Sequence, residues 1–309
     1  MPEQRETRGR LLAALTKNQL ERLSHIDFKL YFLGELRRAD VVDRFGTGPA
    51  GATRDIALYR ELAAENLELD QATKAYRPTP DFVPLFEHQP QRVLTALSQG
   101  FGEGIGVQLQ PMLRCEFPAE LSLPKMSVLA PITRAINRGK AVRLGYTSID
   151  SGKTERELVP LALVDIGTRW HVRAFDRRHR EFRDFVFTRM DSPEVLDDSP
   201  VAKEETVEHD VQWSRIIELV LVPHPKHTRP EVVRMDYDMP DGKLQVKVRA
   251  ANAGYILRRW NVDCSPDHHL EGPEFALWLP DPLALYGASN AHLAPGYEDP
   301  RSTKKIKAF

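Results

Sequence analysis

The 309-residue sequence predicts a multidomain α+β protein, and three observations support this fold class. Leucines and isoleucines recur at three- and four-residue steps near the N-terminus, a pattern typical of helices with one buried face. Short alternating segments separated by turns fill the middle of the chain and indicate an antiparallel sheet. Strands and helices alternate in the C-terminal third, which favours a third, separate α+β domain.

The composition is that of an ordinary globular protein, with 41% hydrophobic and 28% charged residues. The formal net charge is −1, so any surface for a polyanion must be a local patch. The two cysteines, Cys115 and Cys264, lie far apart and favour structural thiols in a reducing compartment. The N-terminus is charged, and no apolar run approaches the roughly 18 residues of a membrane span. We therefore expect a cytoplasmic protein with no membrane partner.

The N-terminal region, residues 1–83, has the element order of a winged helix-turn-helix domain. The pattern predicts helices over 4–36 (with a break near 17–18), 38–45 and 47–63, and a hairpin around 70–74. Gly46 ends the second helix, Thr47 can cap the third, and Pro49 lies where a first-turn proline is tolerated. This order of elements predicts a domain that reads DNA with its third helix.

The third helix carries the candidate DNA-reading residues. A recognition helix inserts its N-terminal turns into the major groove, where small side chains allow close approach and an arginine can bind a guanine or a phosphate. Arg54 is the candidate for that arginine. The other candidates are Thr47, Pro49, Ala50 and Thr53 on this helix, Arg37, Arg38 and Arg60 as phosphate partners, and Lys74 and Arg77 on the wing. Residues 1–83 contain 13 basic and 13 acidic side chains, so a helical bundle with solvated arginines is an alternative.

Residues 84–124 are predicted to form an irregular link with one helix at 89–99. The glycine-rich segment GFGEGIG at 100–106 has neither the GxGxxG spacing nor the preceding strand of a dinucleotide-binding loop. We therefore interpret this segment as a flexible linker rather than as a cofactor site.

The central region, residues 125–197, is predicted to be a small β-barrel of Sm-like type. A helix at 126–137 precedes strands at 141–148, 155–164, 169–175 and 182–190. The turns DSGK, DIGT and DRRHRE separate these strands and favour antiparallel pairing of neighbours. One helix followed by a short antiparallel meander is the pattern on which the barrel prediction rests.

An arginine-rich stretch, TRWHVRAFDRRHREFRDFVFTRM at 168–190, covers the last two of these strands. Since alternate side chains of a strand share a face, cations and rings are predicted to converge on one pocket. The candidate pocket residues are Tyr146, Ser148, His171, Arg173, Arg183, Phe185 and Arg189. Guanidinium groups that bind phosphate and rings that stack on bases suit a nucleotide or an oligonucleotide. The alternative is cross-strand ion pairing with Asp176 or Asp184. The loop arginines are interpreted as plain surface charge; they are Arg177, Arg178 and Arg180.

The C-terminal region, residues 198–309, is predicted to be a ferredoxin-like α+β domain that ends in a polar tail. The predicted elements are a strand at 216–222, a helix at 230–236, strands near residues 237 and 244–250, and a helix at 254–260. The segment CSPDHH at 264–269 offers a thiol and two imidazoles but lacks the second ligand pair of a zinc site, so we interpret it as a turn. With no nucleophile, phosphate-loop or paired-carboxylate motif in view, we predict no catalytic residue, no metal site and no cofactor.

The middle of the chain resembles the WYL domain, a family named for a Trp-Tyr-Leu triplet on a strand. The triplet position holds Trp170-His171-Val172, preceded by VPLALV at 159–164 and closed by FTRM at 187–190. Histidine and valine therefore stand where the family has tyrosine and leucine. By position, the resemblance places these residues on the family's ligand pocket: Tyr146, Ser148, His171, Arg173, Arg183 and Arg189.

The whole chain is similar to one branch of that family, bacterial regulators with an N-terminal winged helix, a central WYL domain and a C-terminal extension. The segment RLSHIDFKLYFLGELRRADVVDRFG, followed by ATRDIALYREL and AYRPT, resembles the regulators found beside BREX and CBASS phage-defence operons. The resemblance implies a homodimeric transcription factor, usually a repressor, that binds inverted repeats in double-stranded DNA. It also implies that the WYL domain senses a nucleotide or a nucleic acid.

The residues and the resemblance together predict a homodimeric repressor of a phage-defence operon, with residues 198–309 as its dimerisation domain. Such a protein would be cytoplasmic and associated with the nucleoid while bound to DNA. Two alternatives are open. One is an accessory module that binds nucleic acid without operator specificity, and the other is a nucleotide-processing enzyme that uses His171 and the neighbouring arginines.

Overall fold

The computed structural model describes residues 11–101, 111–116 and 121–300. Its contacts divide the chain into two compact units, residues 1–118 and 119–309. Across the described ranges, no helix is long and apolar enough to cross a lipid bilayer. Most of the glycine-rich segment that we interpret as a linker lies outside these ranges.

The first unit contains the predicted three helices and hairpin. Its elements are α1 (Lys17–Leu33), α2 (Arg38–Phe45), α3 (Pro49–Leu62), β1 (Leu67–Asp70), β2 (Ala75–Pro78) and α4 (Pro90–Gln99). The hydroxyl of Thr16 accepts the Gln19 N–H at 3.3 Å and caps α1, so the predicted break is the start of this helix. Gly46 ends α2 with a φ of 61°, in the left-handed region that glycine tolerates. The predicted winged helix-turn-helix order is confirmed.

Helices α1, α2 and α3 pack around one apolar core, which also contains a buried polar network. The buried core residues include Leu23, Ile26, Leu30, Leu36, Val41, Ala52, Ile56 and Leu67. The carboxylate of Asp27 on α1 accepts the hydroxyl of Tyr59 on α3 at 2.5 Å and the Leu85 N–H at 2.9 Å. Asn66 donates to the Tyr59 oxygen at 3.0 Å. Because these buried polar groups bind one another, they fix α3 against α1.

The second unit begins with α5 (Met126–Arg138), which packs on one face of a five-stranded antiparallel sheet. The strands are β3 (Ala141–Ser148), β4 (Gly152–Asp165), β5 (Trp170–Asp176), β6 (Glu181–Val186) and β7 (Met190–Leu196), in the order β6-β5-β4-β3-β7. Val128 and Ile132 of α5 are buried against Leu144, Leu158 and Val172 of the sheet. This face is the hydrophobic core of the predicted central domain.

The predicted Sm-like barrel is not confirmed, because the sheet is open. Strands β6 and β7 form its two edges, and no pairing between them occurs within the described residues. The sequence predicts one strand over 182–190, whereas a single helical turn at Phe187–Arg189 interrupts it. The chain therefore leaves β6 at one edge and returns beside β3 as a separate strand at the other.

The remainder of the second unit is a smaller α+β domain. Its elements are α6 (Val211–Ser214), β8 (Ile216–Pro223), α7 (Pro230–Asp236), β9 (Leu244–Arg249), α8 (Ala253–Arg259) and β10 (Leu277–Trp278). The sheet order is β10-β8-β9, and buried residues of β8 share a core with Val233 of α7 and Leu257 of α8. The ferredoxin-like prediction is not confirmed, since the described sheet has three strands. Tyr237, predicted near a strand, instead ends α7.

Candidate functional site

Helix α3 separates into a buried face and an exposed face. Ala52, Ile56 and Tyr59 are buried in the core of the first unit. The predicted DNA-reading residues of this helix are all exposed: Pro49, Ala50, Thr53, Arg54 and Arg60. The N-terminal turns of α3 thus present short side chains and one arginine, as a reader of the major groove requires.

An ion pair fixes the inner side of α3. The buried carboxylate of Asp55 accepts Nε of Arg22 on α1 at 2.7 Å and Nη2 at 3.2 Å. The neighbouring Arg54 forms no ion pair with any residue that the structure describes. Its guanidinium group is therefore available to a ligand, whereas Asp55 holds the helix in place.

The other DNA-binding candidates lie in the helix-turn-helix and on the wing. They are Arg37 and Arg38 at the start of α2, Thr47 before α3, and Lys74 and Arg77 on the hairpin. All of them are exposed except Thr47, which is half-buried. Arg37 Nε binds Glu35 at 3.2 Å, and Arg77 Nε lies 3.3 Å from Asp70, so both charges are partly compensated. Contact of these residues with DNA stays a prediction.

The second unit contains a groove of about 1200 Å³ between the five-stranded sheet and α8. Six arginines line it: Arg169, Arg173, Arg183, Arg189, Arg258 and Arg259. The acidic lining residues are Asp150, Glu181 and Asp184. Because arginines outnumber acids, the groove attracts anions although the whole chain is nearly neutral.

Not all of these arginines are equally available to an anion. Arg183 pairs with Glu181, and Nη1 of Arg259 lies 3.6 Å from Asp165. Arg169, Arg189 and Arg258, by contrast, form no ion pair within the described part of the chain (for Arg169, the buried Nε also lacks a hydrogen-bond partner there). These three residues supply the uncompensated positive charge of the groove.

Arg173 forms the floor of the groove and is only 2% exposed. Its Nε and Nη2 bind the Asp210 carboxylate at 2.7 and 3.0 Å, and its Nη1 binds Asp184 at 3.2 Å. Asp210 also caps α6 by accepting the Gln212 and Trp213 N–H groups, each at 3.1 Å. Arg173 therefore joins strand β5 to the segment that leads into the C-terminal sheet.

Asp184 lies between Arg173 and Tyr255 of α8. Burial raises the pKa of the Asp184 carboxyl above its ordinary value, although Arg173 and the Tyr255 hydroxyl both hydrogen-bond to it. Burial and the neighbouring Asp184 also raise the pKa of the Tyr255 phenol, so the hydroxyl stays protonated and donates. The groove floor is thus a hydrogen-bonded set that spans both halves of the unit.

His171 is 2% exposed and lies behind the groove. Its ring packs on Tyr255 with 5.4 Å between centroids. Burial and the charges of Arg169 and Arg189 lower the pKa of His171 from 6.5 to about 4. The imidazole is therefore neutral near pH 7 and supports the groove wall as an uncharged ring.

The structure does not bring all of the predicted pocket residues together. Arg173, Arg183 and Arg189 line the groove. Phe185 lies in the core under α5, because it pairs with Val172 and so faces away from Arg173. The same core contains Tyr146, whose hydroxyl accepts the Val186 N–H at 3.3 Å. The last predicted residue, Ser148, accepts the Asp150 N–H at 3.3 Å at the end of β3.

The interpretation of the loop arginines as plain surface charge is wrong for Arg177. Its Nε and Nη2 bind the Glu205 carboxylate, each at 2.8 Å, and its Nη1 donates to Ser199 at 2.7 Å. Nη2 also donates to the Pro200 carbonyl at 2.7 Å. Arg177 therefore fastens the segment after β7 to the sheet.

The groove residues that sequence reasoning missed include Arg169, Tyr255, Arg258 and Arg259. The Arg258-Arg259 doublet was a visible signal, but cations at the end of a helix complement its dipole and need no ligand. Only the packing of α8 beside the sheet brings this doublet into the same groove as Arg189. The expected alternative of cross-strand pairing with Asp184 is correct for Arg173.

The CSPDHH segment forms a turn, as predicted, and internal hydrogen bonds hold it. The carboxylate of Asp263 accepts the Ser265 N–H at 2.7 Å and the Leu270 N–H at 3.2 Å. His224 Nε2 lies 3.1 Å from the same carboxylate and is buried. These hydrogen bonds hold the turn in place, whereas the buried Nδ1 of His268 has no hydrogen-bond partner among the described residues.

Three segments of the chain match known protein families. Residues 18–99 match the BrxR transcriptional regulator winged helix-turn-helix domain. Residues 127–195 match the WYL domain. Residues 216–285 match the BrxR transcriptional regulator C-terminal dimerization domain. The three matches fall on the helix-turn-helix and wing, on α5 with its sheet, and on the C-terminal α+β domain.

Curated relatives match along most of the chain. A protein of Stenotrophomonas maltophilia, named DNA-binding transcriptional repressor CapW, is 31% identical over 262 residues, covering 79% of this chain and 84% of the relative. The CapW protein of Pseudomonas aeruginosa is 30% identical over 260 residues, 79% of this chain and 83% of the relative. The Escherichia coli protein of the same name is 29% identical over 270 residues, 83% of this chain and 86% of the relative.

Proposed function

The chain belongs to the family of the CapW DNA-binding transcriptional repressors, and from this premise we propose that it represses a phage-defence operon as a homodimer bound to operator DNA. It is a DNA-binding transcriptional repressor and not an enzyme, since its relatives are named repressors and two of its matched domains are named as parts of a transcriptional regulator. Operator binding would associate it with the nucleoid.

The observation that carries the DNA-binding proposal is the exposed N-terminal face of α3. Short side chains at Pro49, Ala50 and Thr53 leave room for the helix to approach base edges, and Arg54 is uncommitted within the described residues. On the β1–β2 hairpin, Lys74 and Arg77 are suited to contacts with DNA phosphates beside the major groove. Two such units related by a dimer axis would read an inverted repeat.

The groove of the second unit is proposed as the site of an anionic effector, a nucleotide or a short single-stranded nucleic acid. Arg169, Arg189 and Arg258 offer charge that no described residue compensates, which favours a phosphate-bearing ligand. A volume of about 1200 Å³ exceeds what a lone phosphate needs and suits a ligand with bases as well as phosphates.

Arg173 connects the groove to the C-terminal domain through its ion pair with Asp210. An anion that reaches the floor competes with Asp184 and Asp210 for this guanidinium group. Weakening the contact with Asp210 frees the cap of α6 and the connection to β8. Ligand binding would thereby favour a second arrangement of the dimer with lower operator affinity, provided that the ligand binds this arrangement more tightly.

Footprinting on the DNA upstream of the protein's own operon tests the repressor proposal. We expect protection of two half-sites related by a two-fold axis, and transcription from that promoter should fall when the protein is added. Protection without sequence preference would instead support an accessory nucleic-acid-binding module.

A release assay tests the effector site. We expect a short single-stranded oligodeoxythymidylate to release operator DNA from the wild type, and AMP serves as the mononucleotide arm. The double variant Arg189→Ala/Arg258→Ala should bind the operator normally but need at least tenfold more oligonucleotide, since each lost charged hydrogen bond costs about 1.5–3 kcal/mol. Arg143→Ala, on the exposed side of β3, is the matched control. Equal release from the double variant and the wild type would contradict the groove assignment.

A further inference from the structure

The C-terminal sheet has one covered face and one open face. Ile217, Leu219 and Leu221 of β8 point into the core with α7 and α8. The residues between them point the opposite way, and Ile216 and Val220 are 51% and 38% exposed. The alternation of a strand therefore leaves two apolar side chains, Ile216 and Val220, uncovered in the single chain.

The open face is formed by cross-strand pairs of β8 and β9. Its pairs are Ile216 with Arg249, Glu218 with Lys247, and Val220 with Gln245. We call these six residues the outer sheet face. At its centre Nζ of Lys247 lies 2.9 Å from the Glu218 carboxylate, and the two side chains are 73% and 70% exposed. On β8 the apolar Ile216 and Val220 thus flank the central pair of opposite charges. On β9 the flanking residues are Gln245 and Arg249, and the Arg249 guanidinium donates to the Trp213 carbonyl at 2.7 Å.

This charge pattern is complementary to itself. When two copies stack face to face about a two-fold axis, a surface that carries a carboxylate beside an ammonium group can set each charge against its opposite in the other copy. The flanking Ile216 and Val220 then lose contact with water. Both strands lie within the segment that matches a dimerization domain.

Helix α7 offers a rival surface in the same domain. Val232 and Met235 are 48% and 80% exposed on its outer side. This helix has only 7 residues, and its exposed Arg234 and Asp236 form no ion pair with any described residue. The sheet face is the more rigid surface, because its two strands are hydrogen-bonded along six residue pairs.

We propose that two copies of the chain associate through the outer sheet face, with Glu218 and Lys247 of one copy set against Lys247 and Glu218 of the other. This inference rests on the proposed homodimer and specifies the surface that forms it. The winged helices of a dimer built in this way are related by the same two-fold axis that relates the half-sites of an operator.

Two single variants of the full chain test the inference by charge alone. Glu218→Lys makes the centre of the face positive, and Lys247→Glu makes it negative. Each variant on its own should dimerise at least tenfold more weakly than the wild type, because like charges then meet across the interface. An equimolar mixture should form heterodimers at close to the wild-type affinity. Sedimentation velocity measures the affinities, and native mass spectrometry identifies the mixed species.

The control is Met235→Glu on α7, which should leave the dimer unchanged. Both central side chains are largely exposed, so the variants should fold, and circular dichroism checks this. Both charge variants could instead form homodimers with wild-type affinity and show no preference for heterodimers in the mixture. This result would contradict the assignment of the interface to the outer sheet face but not the proposed homodimer. Loss of the dimer in Met235→Glu alone would assign the interface to α7. A wild type that sediments as a monomer at every concentration would overturn the homodimer itself.

Discussion

Two arginines of this chain, Arg54 and Arg173, show how environment decides the use of one residue type. Arg54 is exposed on α3 and forms no ion pair with any described residue. Arg173 is 2% exposed and binds two carboxylates, of Asp184 and Asp210. The charge of Arg54 is available to a partner outside the chain. Arg173 instead uses its N–H donors to join two other segments of the chain to β5.

Binding DNA and sensing a ligand place different physical demands on an arginine. A residue that binds DNA needs a cation that breaks few contacts within the protein when it binds a phosphate or a guanine. An exposed arginine satisfies this condition. A sensor that transmits binding needs a cation already engaged with the rest of the fold, so that a ligand must change those contacts. The groove contains both kinds, since Arg189 is uncommitted within the described residues and Arg173 is committed.

The largest expected effect is the loss of stability in Arg173→Met. The substitution leaves the carboxylates of Asp184 and Asp210 buried without their cation, which should lower the free energy of unfolding by about 3–5 kcal/mol. All four tryptophans lie in the second unit: Trp170, Trp213, Trp260 and Trp278. Urea unfolding followed by tryptophan fluorescence therefore reports on this unit.

Arg183→Met is the matched control for that measurement. Arg183 lines the same groove, but its side chain is 46% exposed and its partner Glu181 is exposed as well. We expect its loss to cost under about 1 kcal/mol, as for other surface pairs. Equal losses in the two variants would remove the distinction between a committed and an available arginine.

A smaller effect concerns the pH dependence of stability at His171. The folded-state pKa of about 4 lies below the ordinary value of 6.5, so the unfolded chain takes up the proton first. The free energy of unfolding should therefore fall as the pH drops from 6.5 towards 4, by up to about 1.4 kcal/mol per pH unit from this residue. His171→Phe keeps a ring against Tyr255 and should make the slope shallower.

The exposed His209 provides the comparison for the pH experiment. The variant His209→Phe makes the same replacement of an imidazole by an apolar ring at an exposed site, so it controls for the chemical change alone. If His171→Phe kept the full wild-type slope between pH 4 and 6.5, the imidazole would not be held neutral by burial.

Local patterns predict much of the fold. The bounds of α2 and of α7 agree with the sequence prediction, as do those of β3. Each of these elements is bounded by a local signal, for example Gly46 after α2 and Pro230 at the start of α7. Such signals act within a few residues and need no knowledge of the tertiary structure.

The groove could not be predicted from the same patterns. Alternation groups Phe185 with the predicted pocket residues, but only the pairing register shows that Phe185 lies opposite Val172 and so faces the core rather than the groove. The second wall of the groove comes from Tyr255 and the residues after it, far along the chain. Long-range packing brought these residues together, and a single sequence contains no local signal of it.

The most direct test of the account is the affinity of Arg54→Ala for the operator and for unrelated DNA. We predict that specific binding weakens by roughly 10–100-fold, about 1–3 kcal/mol, while binding to unrelated DNA changes much less. Arg138→Ala in the second unit, an exposed arginine paired with Asp197, should bind as the wild type does. Undiminished operator binding by Arg54→Ala, measured at the same salt concentration, would contradict the assignment of α3 as the reader of the operator.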